Sequence, residues 1–106
     1  MKKEFLFAFT IIALAIAGAK THTVNLYQPA KVGTTALEPG TYSIEVRENR
    51  AFLRNGKVAA EAEVKVETVE RKFDRTAVRY AKGEGDTLRV QEIHIGGTRE
   101  KLVFNP

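Results

Sequence analysis

The sequence predicts a small all-β domain, and three features carry that prediction. Apolar and polar residues alternate along most of residues 20–106, and no stretch keeps apolar residues at helical spacing for three turns. Turn signals such as Asn55-Gly56 and Gly96-Gly97 separate the alternating stretches. Because a lone sheet would leave its apolar face wet, we expect a small antiparallel meander of about seven strands, closed as a barrel or a sandwich.

The N-terminus, MKKEFLFAFTIIALAIAGA, has the layout of a secretory signal peptide. Two lysines precede an apolar run from Phe5 to Ala17, and a further small residue follows at Ala19. The run is shorter than the roughly 20 apolar residues that a membrane-spanning helix needs. We therefore predict a signal peptide at 1–19, the alternative being an uncleaved N-terminal anchor.

Residues 20–106 are then a single β domain, secreted or periplasmic, with no membrane span after cleavage. Its length suits one small core and is too short for two. The chain has no cysteine, so the domain is disulfide-free and carries no lipid anchor. The formal net charge is +4 for the chain and about +3 for residues 20–106, and it is not concentrated in a run. We therefore expect an unknown protein or an anionic polymer as the partner, and no nucleic acid. We expect a monomer.

The clearest strand is KVAAEAEVKVET, in which apolar and charged residues alternate. Ala and Glu are poor strand formers, so an exposed helix over 59–67 is the alternative. The inward face of this strand is predicted to carry Val58, Ala60, Ala62, Val64 and Val66. Strands are expected in all at about 22–27, 41–47, 50–54, 57–68, 75–82, 87–95 and 98–104.

A two-residue turn at Glu48-Asn49 predicts the register of the first hairpin. It places Ile44 opposite Leu53, so that Tyr42, Ile44 and Val46 point into the core. A three-residue loop would turn the whole strand over, because side chains alternate between the two faces of a strand.

The Asn55-Gly56 pair predicts a type I′ turn that places Leu53 opposite Val58. The same register turns Phe52 outward, between Glu45 and Ala59. An outward aromatic ring on a sheet can contact a partner, so Phe52 is a candidate apolar contact.

The C-terminal hairpins need one irregularity. With Gly83-Glu84-Gly85 as a three-residue loop, Val90 points inward, yet Ile93 would then point outward. One extra residue at Gln91-Glu92 restores the inward face, which predicts a β-bulge there. A two-residue turn at Gly96-Gly97 closes the last hairpin.

In this register, positive side chains gather on the outer face of the C-terminal hairpins. Arg79 lies opposite Arg89, and His94 pairs with Arg99. Acidic neighbours that screen these charges are the alternative. The predicted anion- or partner-binding patch consists of Arg75, Arg79, Arg89, His94, Arg99 and Lys101.

The L-x-x-G-x-Y stretch from Leu37 to Tyr42 and the ending IHIGGTREKLVF resemble a group of small secreted bacterial all-β proteins of uncharacterised function. The resemblance covers most of residues 20–106. Its motifs are turn and core signatures, so it implies a fold and an exported location but no activity.

Motifs for chemistry are sparse. The two histidines lack the spacing of metal ligands. The single serine, Ser43, has no nucleophile motif around it. Glu61 and Glu63 are interpreted as part of a solvated strand face. We therefore expect no enzyme activity, metal or cofactor. The function predicted is a secreted, non-catalytic β module that binds a protein, an envelope polymer or an anionic glycan. The alternative is a structural or stress-related envelope protein without a specific ligand.

Overall fold

The computed structural model describes residues 20–105, so the signal peptide predicted at 1–19 lies outside the described residues. Residues 20–105 are all-β, which confirms the predicted class and makes the helical alternative for 59–67 wrong. Two short strands within QPAKVGTTALEPG add to the seven expected ones. The strands are β1 Lys20–Leu26, β2 Ala30–Val32, β3 Thr35–Leu37, β4 Gly40–Arg47, β5 Arg50–Asn55, β6 Val58–Thr68, β7 Ala77–Lys82, β8 Leu88–His94 and β9 Glu100–Phe104.

The strands form one mixed sheet in the order β1-β4-β5-β6-β9-β8-β2-β3, with β7 paired to β8. Among residues 20–105, the pairings between strands are antiparallel except for the parallel bridge between Lys31 on β2 and Arg89 on β8, and a further parallel bridge joins Phe73 to Gly96 outside the strands. The sheet is not closed by strand pairing. Strands β1 and β7 approach each other, and the Tyr27 N–H donates to the Tyr80 hydroxyl at 3.1 Å. The closed barrel or sandwich therefore stays a prediction.

Strand β6 joins the two halves of the sheet. Its residues 58–63 pair with β5, and its residues 64–68 pair with β9. Because β9 begins to pair with β6 only at Val64, the β9 side of 58–63 is left for another segment. The hairpin of β2 and β3 approaches β6 there, and this placement creates the groove described below.

The core lies on the inward face of this curved sheet, as the alternation predicts. Ile44, Leu53 and Ile93 are fully buried, and burying such side chains stabilises the fold by roughly 1.5–3 kcal/mol each. Val58 and Val66, at the ends of the predicted inward face of β6, are instead exposed. The buried set is Val24, Leu26, Ala30, Val32, Leu37, Tyr42, Ile44, Ala51, Leu53, Ala60, Ala62, Val64, Val90, Ile93, Ile95, Leu102 and Phe104.

The turn at Glu48-Asn49 has the predicted register, with Ile44 opposite Leu53 and Val46 opposite Ala51. Both turn residues have positive φ, 51° for Glu48 and 65° for Asn49, as a type I′ turn requires.

The turn after β5 differs from the prediction by one residue. Asn55 pairs with Val58, so Gly56-Lys57 forms the loop. Only Gly56 has positive φ, which matches a type II′ turn with glycine at its first central position. The pairing slides by two residues, so Leu53 meets Ala60 and the inward face is unchanged.

The bulge in β8 is confirmed, but both neighbouring loops are longer than predicted. Tyr80 pairs with Val90 and Arg79 with Glu92, which leaves Gln91 as the extra residue. Lys82 pairs with Leu88, so the loop before β8 has five residues. The turn after β8 spans four residues, 96–99, because the Ile95 N–H donates to the Glu100 carbonyl at 3.1 Å.

Candidate functional site

The longer loops change which charges meet on the outer face of β7, β8 and β9. Arg79 lies opposite Glu92, not opposite Arg89 as predicted, because the five-residue loop and the bulge move β8 along β7. Arg89 lies between Ala81 on β7 and Lys31 on β2. The predicted pair of opposed arginines is therefore absent.

The Glu92 carboxylate contacts two basic side chains, those of His94 and Lys101. Its Oε1 lies 3.0 Å from His94 Nε2, and its Oε2 lies 3.6 Å from Lys101 Nζ. Lys101 Nζ also lies 3.9 Å from Glu67 Oε1. We call Glu67, Glu92, His94 and Lys101 the Glu92 cluster.

The Glu92 cluster holds its central carboxylate ionised. The hydrogen bond with His94 lowers the pKa of Glu92, and the positive charges of Lys101, His94 and Arg79 lower it further, against the opposing effect of burial. The carboxylates of this part of the predicted patch thus neutralise its positive side chains, so those side chains attract an external anion less strongly.

The prediction that His94 pairs with Arg99 is wrong. The cross-strand neighbours of His94 are Ala77 on β7 and Lys101 on β9. Its ring stacks on Phe73, with ring centres 4.5 Å apart and an interplanar angle of 16°. Phe73 belongs to the segment 69–76, which we call the strap.

The strap is held by backbone bonds to the turn at 96–99. The Phe73 N–H donates to the Thr98 carbonyl at 2.8 Å, and the Gly97 N–H donates to the Phe73 carbonyl at 2.8 Å. The remaining predicted patch residues, Arg75 on the strap and Arg99 in the turn, are exposed beside this junction. Three of the six predicted residues, Arg79, His94 and Lys101, thus lie around Glu92 and not as an open patch of cations.

Arg89 is the residue of the predicted patch that has a buried nitrogen atom without a hydrogen-bond partner among residues 20–105. This atom is Nη1, and the side chain as a whole is half-buried. Lys31 beside it adds a second positive charge, so this position keeps unbalanced cationic character.

Phe52 lies on the other half of the sheet, on the outward face of β5, as predicted. It is half-buried, and its cross-strand neighbours are Glu45 and Glu61. The predicted neighbour Ala59 lies instead opposite Arg54, because of the two-residue slide at Gly56. The Arg47 guanidinium lies over the ring, 4.8 Å from its centre, in a cation–π contact.

A groove of about 510 Å³ lies beside Phe52, and we call it the Phe52 groove. Its walls come from three segments, and the small outward side chain of Ala59 leaves its volume open. A volume of this size lies within the range of roughly 300–1,000 Å³ that is typical of small-molecule sites. The lining residues are Thr34, Thr35, Arg50, Phe52, Arg54, Ala59, Ala60 and Glu61.

The threonine wall depends on Gly33 at the tip of the hairpin of β2 and β3. Gly33 has a φ of +63°, and a Cβ built there would lie 2.6 Å from the Glu61 carbonyl oxygen. Only glycine fits this close approach without displacement of the backbone. The hairpin therefore docks on β6 through a residue without a side chain, and Thr34 and Thr35 follow at the groove.

Charge in the Phe52 groove is not balanced. The Arg50 Nε–H donates to Glu61 Oε2 at 2.5 Å, which uses the single carboxylate of the groove. Within residues 20–105, no carboxylate lies within 4.0 Å of the Arg54 guanidinium. Arg54 is thus available for an anion, since a guanidinium offers five N–H donors that match carboxylate or phosphate oxygens.

A second hollow of about 380 Å³ adjoins the Phe52 groove, and we call it the Glu63 hollow. The two share Thr34, Arg50 and Glu61, so they form one continuous surface. The Asn105 Nδ2–H donates to Glu63 Oε1 at 3.4 Å at the far end. The lining residues of the Glu63 hollow are Gly33, Thr34, Arg50, Glu61, Ala62, Glu63 and Asn105.

Sequence reasoning identified Phe52 but missed its flanking arginines. Arg50, Phe52 and Arg54 alternate in RAFLRN, so their common outward face follows from the strand period alone. Thr34 and Thr35 gave no such signal, because they lie far from β5 in the chain and come near it only through the docked hairpin.

No protein-family model, curated protein or solved structure matches this chain. Among residues 20–105, no three His, Asp or Glu side chains are grouped so that they can hold a metal ion. That part of the chain also has no helix of the length and apolarity that crossing a membrane requires.

Proposed function

We propose that this protein is a secreted or periplasmic, non-catalytic β module that binds an anionic glycan or envelope polymer in the Phe52 groove. The observation that carries the proposal is Arg54, a cation without a carboxylate partner among the described residues, at the edge of an open groove beside an aromatic ring. Export rests on the predicted signal peptide and on the resemblance to secreted bacterial proteins.

The groove offers the contacts that an acidic sugar needs. Arg54 can bind a carboxylate through two parallel N–H donors, and the Phe52 ring supplies apolar surface for the C–H face of a sugar ring. The hydroxyls of Thr34 and Thr35 can donate to and accept from sugar hydroxyls. An anionic glycan engages all three walls at once.

The β scaffold suits this role, since the pairing of β5 with β6 fixes two walls of the groove and the hairpin of β2 and β3 supplies the third. The predicted barrel or sandwich belongs to the same proposal. The approach of β1 and β7, with the bond between Tyr27 and Tyr80, supports closure of the sheet. A structural or stress-related envelope protein without a ligand is the competing function, and it gives Arg54 no role.

The test is calorimetric titration of the purified protein with polygalacturonate, which carries carboxylates, and with dextran, which is neutral. We expect the protein to bind the first and not the second. Arg54→Ser should weaken binding about tenfold or more, because a hydrogen bond to a charged group contributes roughly 1.5–3 kcal/mol. Wild-type binding should also weaken between low and physiological salt, as the screening length shortens to about 8 Å.

Arg99→Ser is the matched control, because it removes the same charge from an exposed turn of the predicted patch, away from the groove. It should change the affinity less than twofold. If Arg99→Ser weakens binding and Arg54→Ser does not, the anion site lies at the C-terminal patch. Equal binding of dextran, or no binding of either polymer, contradicts the proposal.

A further inference from the structure

We infer that the ligand is a glycan chain with charges of both signs, in which a carboxylate-bearing unit in the Phe52 groove is followed by an amine-bearing unit in the Glu63 hollow. This inference rests on the proposed function and adds the chemical class of the ligand.

The first argument is continuity. The Phe52 groove and the Glu63 hollow share three lining residues, Thr34, Arg50 and Glu61, so a chain that enters one continues into the other. Arg54 and Arg50 are four residues apart on β5, and Glu63 lies directly opposite Arg50. At about 3.3 Å per residue, the two ends are on the order of 13 Å apart along the strand, which is longer than one sugar ring.

The second argument is that the two ends have opposite charge. The Phe52 groove is lined by two arginines and one glutamate, whereas the Glu63 hollow is lined by two glutamates and one arginine. The shared pair of Arg50 and Glu61 is neutral as a unit, since the guanidinium and the carboxylate are hydrogen-bonded. What remains is a cation, Arg54, at one end and a carboxylate, Glu63, at the other.

The third argument is the weak engagement of Glu63. Its exposed carboxylate has one long bond, 3.4 Å from Asn105 Nδ2, and no Lys, Arg or His of residues 20–105 lies within 4.0 Å of it. A carboxylate accepts hydrogen bonds only, so it favours a group that donates and carries positive charge. A protonated amine of an amino sugar is such a group.

The test compares two forms of one polymer. Hyaluronan oligosaccharides alternate carboxylate-bearing units with N-acetylated amino sugars, and removal of the acetyl groups exposes charged amines without changing the carboxylates. We expect the de-N-acetylated form to bind about tenfold more tightly in calorimetry at a pH where the amines are protonated. Glu63→Gln should abolish this preference, so that the ratio of the two affinities falls to about one.

Two controls separate this inference from the proposed function. Arg54→Ser should weaken both forms, whereas Glu70→Gln, which removes a negative charge on the exposed strap, should leave the preference intact. If both forms bind equally and depend on Arg54, the inference is wrong and the proposed function stands. If the preference exists but survives Glu63→Gln, the inference is also wrong. If neither form nor polygalacturonate binds, both are wrong.

Discussion

The Glu92 cluster and the Phe52 groove are both charged regions on the outer face of one sheet, yet they are suited to different roles. In the Glu92 cluster, the carboxylate of Glu92 contacts His94 and Lys101, and Arg79 lies opposite Glu92 on β7. In the Phe52 groove, Glu61 is already bonded to Arg50, and Arg54 has no carboxylate among the described residues within reach. The number of cations alone does not mark a binding surface. The two regions differ in that Arg54 has no carboxylate partner among the described residues and lies beside open space.

The two regions also differ in what covers them. The strap places Phe73 against His94, so one face of each ring is occupied. The hairpin of β2 and β3 instead stands beside its groove and lines it with threonines. Each segment docks through a glycine, since a Cβ on Gly96 would lie 2.6 Å from the backbone of Arg75, and a Cβ on Gly33 would lie 2.6 Å from the backbone of Glu61. Close docking of a segment thus covers the His94 ring in the first region, whereas in the second it forms one wall of the open Phe52 groove.

The largest effect should come from the core that both regions share. Ile44→Asp places an unpaired charge at a fully buried position, which costs several kcal/mol against a total stability of about 5–15 kcal/mol. We expect the domain to lose its cooperative thermal unfolding, measured by circular dichroism, and both surfaces to be lost together. Ser43→Asp, at the neighbouring exposed position, should leave the transition in place. A cooperative transition in the Ile44 variant would mean that the inward face is assigned wrongly.

A smaller loss of stability should come from a substitution that disturbs the hairpin beside the Phe52 groove and leaves the core residues in place. Gly33→Ala adds a Cβ that meets the Glu61 backbone, so overpacking of roughly 1–3 kcal/mol adds to a φ penalty of roughly 1–2 kcal/mol. Gly85→Ala is the matched control, because Gly85 has the same φ of +63° and open space around it. Urea unfolding should show a clearly larger loss for Gly33→Ala, together with weaker polygalacturonate binding. Equal losses for the two variants would contradict docking of the hairpin through Gly33.

The smallest effect concerns the Glu92 cluster and depends on pH. Because the pKa of Glu92 lies below the ordinary value of 4.5 in the folded protein, its ionised form stabilises the fold above that value, and the stabilisation is lost as pH falls through the folded pKa. Glu92→Gln should therefore cost about 1 kcal/mol near neutral pH, and the difference from wild type should shrink in acid. Urea unfolding across this range measures it.

The exposed Glu84→Gln variant, in the loop before β8, is the control and should cost little at any pH. A loss for Glu92→Gln that stays constant down to strong acid would show that packing, and not ionisation, accounts for the role of Glu92.

The faces of the strands were predictable because side chains alternate with a period of two. Leu53 and Ala60 were expected to point inward and do so, although their pairing differs from the expected one. A slide by two residues preserves the face, so the shifted turn at Gly56 and the longer loop before β8 left the core unchanged. The bulge at Gln91 was predictable for the same reason, since only an extra residue keeps both Val90 and Ile93 inward.

The partners of outward side chains were decided by the tertiary structure. The longer loop before β8 and the bulge together replace Arg89 by Glu92 opposite Arg79. The two-residue slide at Gly56 replaces Ala59 by Glu61 beside Phe52. The outward alternation of Arg50, Phe52 and Arg54 could be read from the sequence. The open groove beside them could not, because it depends on loop lengths that turn residues do not specify and on a hairpin that reaches β6 from a distant part of the chain.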